Sequence, residues 1–170
     1  GATRTLAIDL SPPVLRDGGL PEALAWLART MESTYGLRVE LSLASHASPD
    51  REDVRIVVFE SVREALLNVV KHAQVARAEV ELSQDGRGFV TVVIRDRGVG
   101  IPLETATHEG RSAGGFGLFA MRERLSLLGG GVKIGGVPGG GTQVTLSAPI
   151  ADHAEHRDGS ASAVSERTSA

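Results

Sequence analysis

Glu64 and Asn68 lie four residues apart in a stretch without glycine or proline, and Lys71 and His72 follow them. In an α-helix, residues i and i+4 project from the same face, and the next polar pair would continue that face. A carboxylate and an amide oxygen arranged in this way can orient a water and supply a ligand to Mg2+, which takes few protein oxygens. The same spacing is also typical of a solvated helix surface, although asparagine is mildly unfavourable within a helix.

A second candidate is the segment Asp96-Arg-Gly-Val-Gly100, which follows the β-type run at 89–94. The end of a strand would fix the Asp96 carboxylate, while the two glycines would let a ligand approach the backbone. Such a carboxylate can accept a hydrogen bond from the exocyclic amine of adenine. Taken alone, the motif also fits a glycine-rich turn that begins with aspartate.

A third candidate is Gly114-Gly-Phe-Gly-Leu118, which opens a helical pattern. The free N–H groups and the positive dipole end of a helix N-terminus favour a phosphate. Gly115-x-Gly117-x-x-Ala120 also matches the dinucleotide fingerprint, but no strand immediately precedes it and no acid follows about 20 residues later. The chain contains no G-x-x-x-x-G-K-[ST] motif either, so Rossmann and P-loop sites are both excluded.

Regular elements must position these three segments. Apolar periodicity predicts helices and strands, in chain order a helix at 20–35, a strand at 37–43, a helix at 51–73, strands at 78–82 and 89–94, a helix at 118–128, and strands at 132–135 and 142–147. Helices followed by adjacent hairpins favour an α+β fold, a two-layer α/β sandwich with a mixed sheet covered on one face by helices. The main domain is expected to span residues 20–150.

The flanking and connecting segments are less regular. Residues 1–19 contain Pro12-Pro13 and are interpreted as an extended connector. Residues 97–116 have little periodicity, which predicts a long mobile loop. The tail at 151–170 has one aliphatic residue larger than alanine, so we expect it to be disordered. Because the chain begins with glycine and no signal-like segment follows, it is interpreted as an excised fragment without a secretory signal.

Composition excludes several classes of function. The 170 residues are 41% hydrophobic and 23% charged, as in ordinary globular domains. A net charge of −3 provides no basic field for a phosphate backbone, so no direct contact with nucleic acid is expected. The absence of cysteine excludes thiol chemistry and fits a reducing, cytoplasmic location. No apolar run approaches the roughly 20 residues of a membrane helix, so no membrane contact is expected of this domain.

In their order along the chain, the motifs resemble the ATP-binding fold shared by sensor histidine kinases, the gyrase B subunit, mismatch-repair ATPases and anti-sigma serine kinases, known as the GHKL or Bergerat fold. The four motifs are an N box at Arg63-Glu-Ala-Leu-Leu-Asn-Val-Val-Lys-His-Ala73, two glycine boxes at Asp96-x-Gly98-x-Gly100 and Gly115-x-Gly117-Leu118, and a last box at Gly139-Gly-Gly-Thr142. Leu10-Ser-Pro-Pro-Val-Leu15 and Met121-Arg-Glu-Arg124 are similar to segments of nitrate-sensor-type kinases. The resemblance covers residues 10–148.

The resemblance implies ATP and Mg2+ as cofactors and a role for each residue of the motifs. Asn68 would ligate Mg2+ and Asp96 would bind the adenine amine. Glu64 occupies the position that activates water in the hydrolytic relatives and is the candidate catalytic residue. The remaining implied contacts are Gly98 and Gly100 in the base pocket, Lys71, His72, Gly115, Gly117 and Leu118 around the phosphates, and Thr142 as a support for Asp96 through water.

The implied activity is transfer of the γ-phosphate to a histidine on a separate dimerisation hairpin, in two-component signal transduction. That hairpin would lie upstream, and His108-Glu109 does not replace it because this dipeptide lies in the glycine-rich loop. A helix-turn-helix response regulator would be an indirect partner. Two alternatives are a nucleotide-dependent interaction module without phosphotransfer and an anti-sigma serine kinase, against which the Leu-Ser-Pro-Pro segment argues.

Overall fold

The computed structural model describes residues 12–100 and 115–151. Most of the predicted mobile loop, at 101–114, and nearly all of the predicted tail, at 152–170, lie outside the described residues. Ten segments of regular structure follow one another in the described parts. They are α1 (Val14–Asp17), α2 (Gly19–Tyr35), β1 (Arg38–Leu43), α3 (Glu52–Asn68) with a π-helical turn (Val69–Ala73), β2 (Arg77–Gln84), β3 (Phe89–Asp96), α4 (Gly115–Leu127), β4 (Gly131–Gly136) and β5 (Thr142–Pro149).

The strands form one five-stranded sheet in the order β1-β2-β3-β5-β4. β1 runs parallel to β2, and the other neighbouring strands are antiparallel, so the prediction of a mixed sheet is confirmed. Register pairs such as Val80 with Ile94 and Ile94 with Val144 place buried side chains on the face that the helices cover. The predicted α+β sandwich is therefore confirmed, and it places the end of β3 at the centre of the sheet.

The predicted helix at 20–35 is observed as α2. Its buried side chains Leu20, Leu24 and Leu27 follow the apolar stripe, and Gly36 ends the helix in the left-handed conformation with φ +68°. None of the helices in the described ranges is both long enough and apolar enough to cross a bilayer.

The interpretation of residues 1–19 as extended backbone is wrong where the chain reaches α1. Pro13 precedes the helix with φ −52° and ψ −30°, and proline is tolerated at this position because the first N–H groups of a helix have no intrahelical partner. Leu15 on this short helix is fully buried in the core. The segment after Pro13 therefore belongs to the folded domain.

The helix predicted at 51–73 is uninterrupted, but it changes its geometry after Asn68. Residues 69–73 form a π-helical turn, and Gln74 follows in the left-handed conformation with φ +56°. Single π-helical turns occur frequently at functional sites. This turn brings the Ala73 carbonyl to the loop after β3, where it accepts a hydrogen bond from the Val99 N–H at 3.2 Å. The N box is thus bonded to the loop that begins at Asp96.

Candidate functional site

Asp96 is the last residue of β3 and is only 6% exposed. Its Oδ1 accepts a hydrogen bond from the Gly98 N–H at 2.8 Å, and its strand neighbour Ala78 is buried. A carboxylate has about four acceptor positions, and a buried charge that leaves them empty is costly. The carboxylate of Asp96 can therefore accept a further hydrogen bond from a ligand.

Three backbone segments approach one another closely around Asp96. A Cβ at Gly98 would overlap the Ala73 carbonyl, and a Cβ at Gly141 would overlap the carbonyl of Asp96. Gly100, with φ +78°, would place a Cβ 3.4 Å from the Gly141 carbonyl oxygen. The loop after β3 (97–100), the loop before β5 (137–141) and the π-helical turn are thus in close backbone contact, and we call this arrangement the cage. Glycine is required in it because a side chain would not fit and because some positions have a positive φ.

We expect Gly141→Ala to lower both the stability of the domain and its affinity for nucleotide. Gly141 has φ +108°, so alanine would be strained there by about 1–3 kcal/mol, and its methyl group would also press on Asp96. Gly139→Ala is a matched control because Gly139 has φ +90° but its Cβ would meet nothing within 4 Å. Thermal unfolding and nucleotide titration of both variants measure the difference. Equal losses in the two variants would show that the contact with Asp96 is unimportant.

Asn68 and Glu64 lie on the last two turns of α3, and both are half-buried. Among the described residues, the Asn68 Nδ2 atom is buried and has no hydrogen-bond partner. A buried donor in this state costs free energy that a bound acceptor would recover. The Nδ2 group of Asn68 can therefore donate a hydrogen bond to a polar ligand.

Glu64 connects α3 to the third motif. Its carboxylate lies against Gly117 in the first turn of α4, where a Cβ would overlap it. Gly115 begins the helix and Leu118 follows Gly117. The structure thus brings together the N box and the second glycine box, as the sequence predicts for a common site.

Lys71 and His72 are both exposed on the π-helical turn. The prediction that they continue the face of Glu64 and Asn68 assumes α-helical spacing, and the π-helical turn changes that spacing. In the π-helical turn the hydrogen bonds span one residue more, so the side chains rotate away from the α-helical positions. Their contact with phosphate stays a prediction that rests on exposure and charge alone.

Thr142 is the first residue of β5 and is 8% exposed. It follows Gly141, which contacts the backbone of Asp96, so it lies at the same edge of the cage. Its role as a support for Asp96 through water stays a prediction.

The sequence analysis assigned no contact to two features of the cage. Gly141 lies within the predicted last box at Gly139-Gly-Gly-Thr142, and a run of glycines next to a candidate residue often marks close backbone approach. The Ala73 carbonyl left no signal, because a main-chain oxygen carries no residue type.

Within residues 12–100 and 115–151, no three histidine, aspartate or glutamate side chains come together as a metal-binding cluster. Mg2+ does not need one, since it is usually held by one or two protein oxygens together with waters and substrate phosphates. Asn68 offers its amide oxygen for this mode of binding, and its buried Nδ2 group, which has no partner among the described residues, could donate a hydrogen bond to a phosphate oxygen.

Comparison of the sequence with known proteins gives two matches. Residues 53–152 match the family described as histidine kinase-, DNA gyrase B- and HSP90-like ATPase. The oxygen sensor histidine kinase NreB of Staphylococcus carnosus (strain TM300) is 36% identical over 149 residues. The match covers 88% of this chain and 42% of NreB, so the chain spans less than half the length of that relative.

Solved structures show the same fold. The histidine kinase domain from the blue-light-activated histidine kinase of Erythrobacter litoralis EL346 is 22% identical with a TM-score of 0.63, covering 78% of this chain and 61% of that one. The mycobacterial sensor histidine kinase MprB is 19% identical with a TM-score of 0.62, covering 77% of this chain and 95% of that one. At these identities the likeness concerns the fold.

Proposed function

Since this chain belongs to the family of histidine kinase-, DNA gyrase B- and HSP90-like ATPases, we propose that it binds Mg-ATP and donates the γ-phosphoryl group to a histidine on a separate dimerisation hairpin. The nucleotide would lie between the cage around Asp96 and the first turn of α4. The buried Asp96 carboxylate, which has one hydrogen bond from the described residues, carries this proposal.

The base is proposed to bind at the end of β3. Asp96 would accept a hydrogen bond from the amine of adenine, while Gly98 and Gly100 would allow the ring to approach the backbone. The carbonyl of Ala73 already bonds to Val99 and so fixes the loop that presents these glycines. The base pocket is therefore preorganised by main-chain contacts, which lowers the cost of binding.

The phosphates are proposed to extend from the base towards α3 and α4. The N–H groups of the first turn of α4 and its positive dipole end would face them, and Lys71 would add positive charge and His72 a ring N–H donor from the exposed side. Asn68 would hold the metal through its amide oxygen. When bound, Mg2+ would neutralise charge on the β- and γ-phosphates.

The transfer step breaks the bond between the γ-phosphorus and the oxygen of the β-phosphate, and it forms a bond from the phosphorus to an imidazole nitrogen of the hairpin. ADP is the leaving group. Glu64 is proposed to accept the proton that the imidazole loses, because its carboxylate lies against the helix turn that would face the γ-phosphate.

The partners follow from the same proposal. The domain would work with its own upstream hairpin, and the phosphorylated hairpin would supply a helix-turn-helix response regulator. We place the domain in the cytoplasm, where ATP is available, without direct contact to nucleic acid or membrane.

We expect the 170-residue chain to bind Mg-ATP without phosphorylating itself. Of its five histidines only His108 is followed directly by an acidic residue, and this pair lies in a glycine-rich stretch of sequence, so transfer should require a supplied hairpin. Incubation with γ-labelled ATP, with and without a purified hairpin from a related sensor kinase, measures this.

Label on the hairpin alone would support the kinase. Binding of ATP with no label on any tested hairpin would favour the interaction module, and acid-labile label on the chain itself would contradict the interpretation of its histidines.

A further inference from the structure

Two carboxylates on α3 contact α4 at different positions along its length. The guanidinium of Arg124 forms an ion pair with Glu60, whereas Glu64 lies one turn further along α3 and contacts Gly117. Because the later residue of α3 meets the earlier residue of α4, the two helices run antiparallel. The helix that begins at the phosphate end of the proposed site is thus held to the N box at two points.

The two contacts lie far apart on α4. Gly117 and Arg124 are about two turns, or 10 Å, apart along α4. The buried side chains of Met121 and Leu125 hold α4 against the core. The ion pair between Arg124 and Glu60 is directional, and it adds to this packing a contact that favours one axial position of α4. The axial position of α4 sets how far its first turn lies from Glu64 and Asn68.

We infer that Glu60 and Arg124 are positioning residues for the phosphate end of the nucleotide site, acting through α4. This inference rests on the proposed function. Neither residue belongs to the motifs that would touch nucleotide, and the side chains are 28% and 51% exposed, so they can be changed without opening the core.

Charge reversal tests the pair. We expect Arg124→Glu and Glu60→Arg each to weaken binding of Mg-ATP by about two- to fivefold, since partly exposed ion pairs have effects of this size. The double variant, with the two charges exchanged, should regain most of the affinity. Binding of adenosine should stay unchanged in all three, because the base is held at the other end by Asp96. Calorimetric titration with Mg-ATP and with adenosine measures both.

Arg122→Glu is the matched control, because Arg122 is an exposed arginine on the same helix and the change in net charge is identical. It should leave both affinities unchanged. Thermal unfolding of each variant shows whether the fold is retained.

Equal weakening by Arg122→Glu would show a general charge effect, and no recovery in the double variant would show that the pair does not act as a unit. Either result overturns the inference. Failure of the unchanged chain to bind Mg-ATP would instead overturn the proposed function.

Discussion

Asn68→Ala is expected to lower the affinity for Mg-ATP by at least about 100-fold, because even residues that only support a metal ligand contribute 10- to 100-fold. The variant should nevertheless be as stable as the unchanged chain, or more stable, without nucleotide. Alanine removes a buried N–H donor that has no partner among the described residues, and such a donor costs about 1–3 kcal/mol. Loss of binding without loss of stability would identify Asn68 as a residue that serves the ligand.

Titration with ATP in the presence of Mg2+ and in the presence of a chelator gives the affinity for ATP with and without the metal. In Asn68→Ala they should become similar, because the metal has lost its protein ligand. Asn68→Asp is the control, since it keeps an oxygen at the same position and should keep the dependence on Mg2+. An unchanged dependence on Mg2+ in Asn68→Ala would remove this residue from the site.

The sequence predicted most of the fold because its elements have strong local signals. α2 has an apolar stripe and a terminal glycine, and the strands around the Asp85–Gly88 turn alternate clearly. α1 was missed because four helical residues after two prolines are too short to show a period. The burial of Leu15 comes from tertiary packing, which local propensity does not report.

The π-helical turn was missed for a related reason. Val69 and Ala73 are buried at a spacing of four, which an α-helix would also produce. The two geometries differ in their main-chain hydrogen bonds, which span five residues in a π-helix, and the Ala73 carbonyl at the end of the turn also accepts a bond from Val99. That contact joins segments far apart along the chain and involves no side chain, so no pattern of residue types could indicate it.

The sequence can indicate candidate site residues where the proposed chemistry depends on residue type, but not where it depends on position in space. Asp96 in a strand and Asn68 in a helix are unfavoured residues for their elements and could be selected by type, whereas Glu64 was selected by its spacing from Asn68. The pairing of Glu60 with Arg124 joins residues 64 positions apart, and both side chains would be typical of any exposed helix surface. Positioning contacts of this kind become visible only when the helices are placed together.

The last expectation concerns the base. We expect the chain to bind ATP more tightly than GTP, with Asp96 as the residue that discriminates. An ionised carboxylate only accepts hydrogen bonds, so it suits the amine at position six of adenine and opposes the carbonyl oxygen of guanine. Because Asp96 is 6% exposed, water cannot readily compensate for the mismatch. The penalty is about 1–3 kcal/mol or more for a charged group, which corresponds to roughly tenfold to a hundredfold in affinity.

Asp96→Asn, compared with a control of equal charge change, tests whether Asp96 discriminates between ATP and GTP. The amide keeps the shape of the side chain and adds a donor, so affinity for ATP should fall and the preference over GTP should narrow. Asp50→Asn changes the net charge equally at an exposed position outside the cage and should leave the ratio of affinities unchanged. Competition titrations with both nucleotides measure that ratio. If the unchanged chain binds ATP and GTP equally, or if Asp96→Asn leaves their ratio as it was, the buried carboxylate does not bind the base and the nucleotide must lie elsewhere.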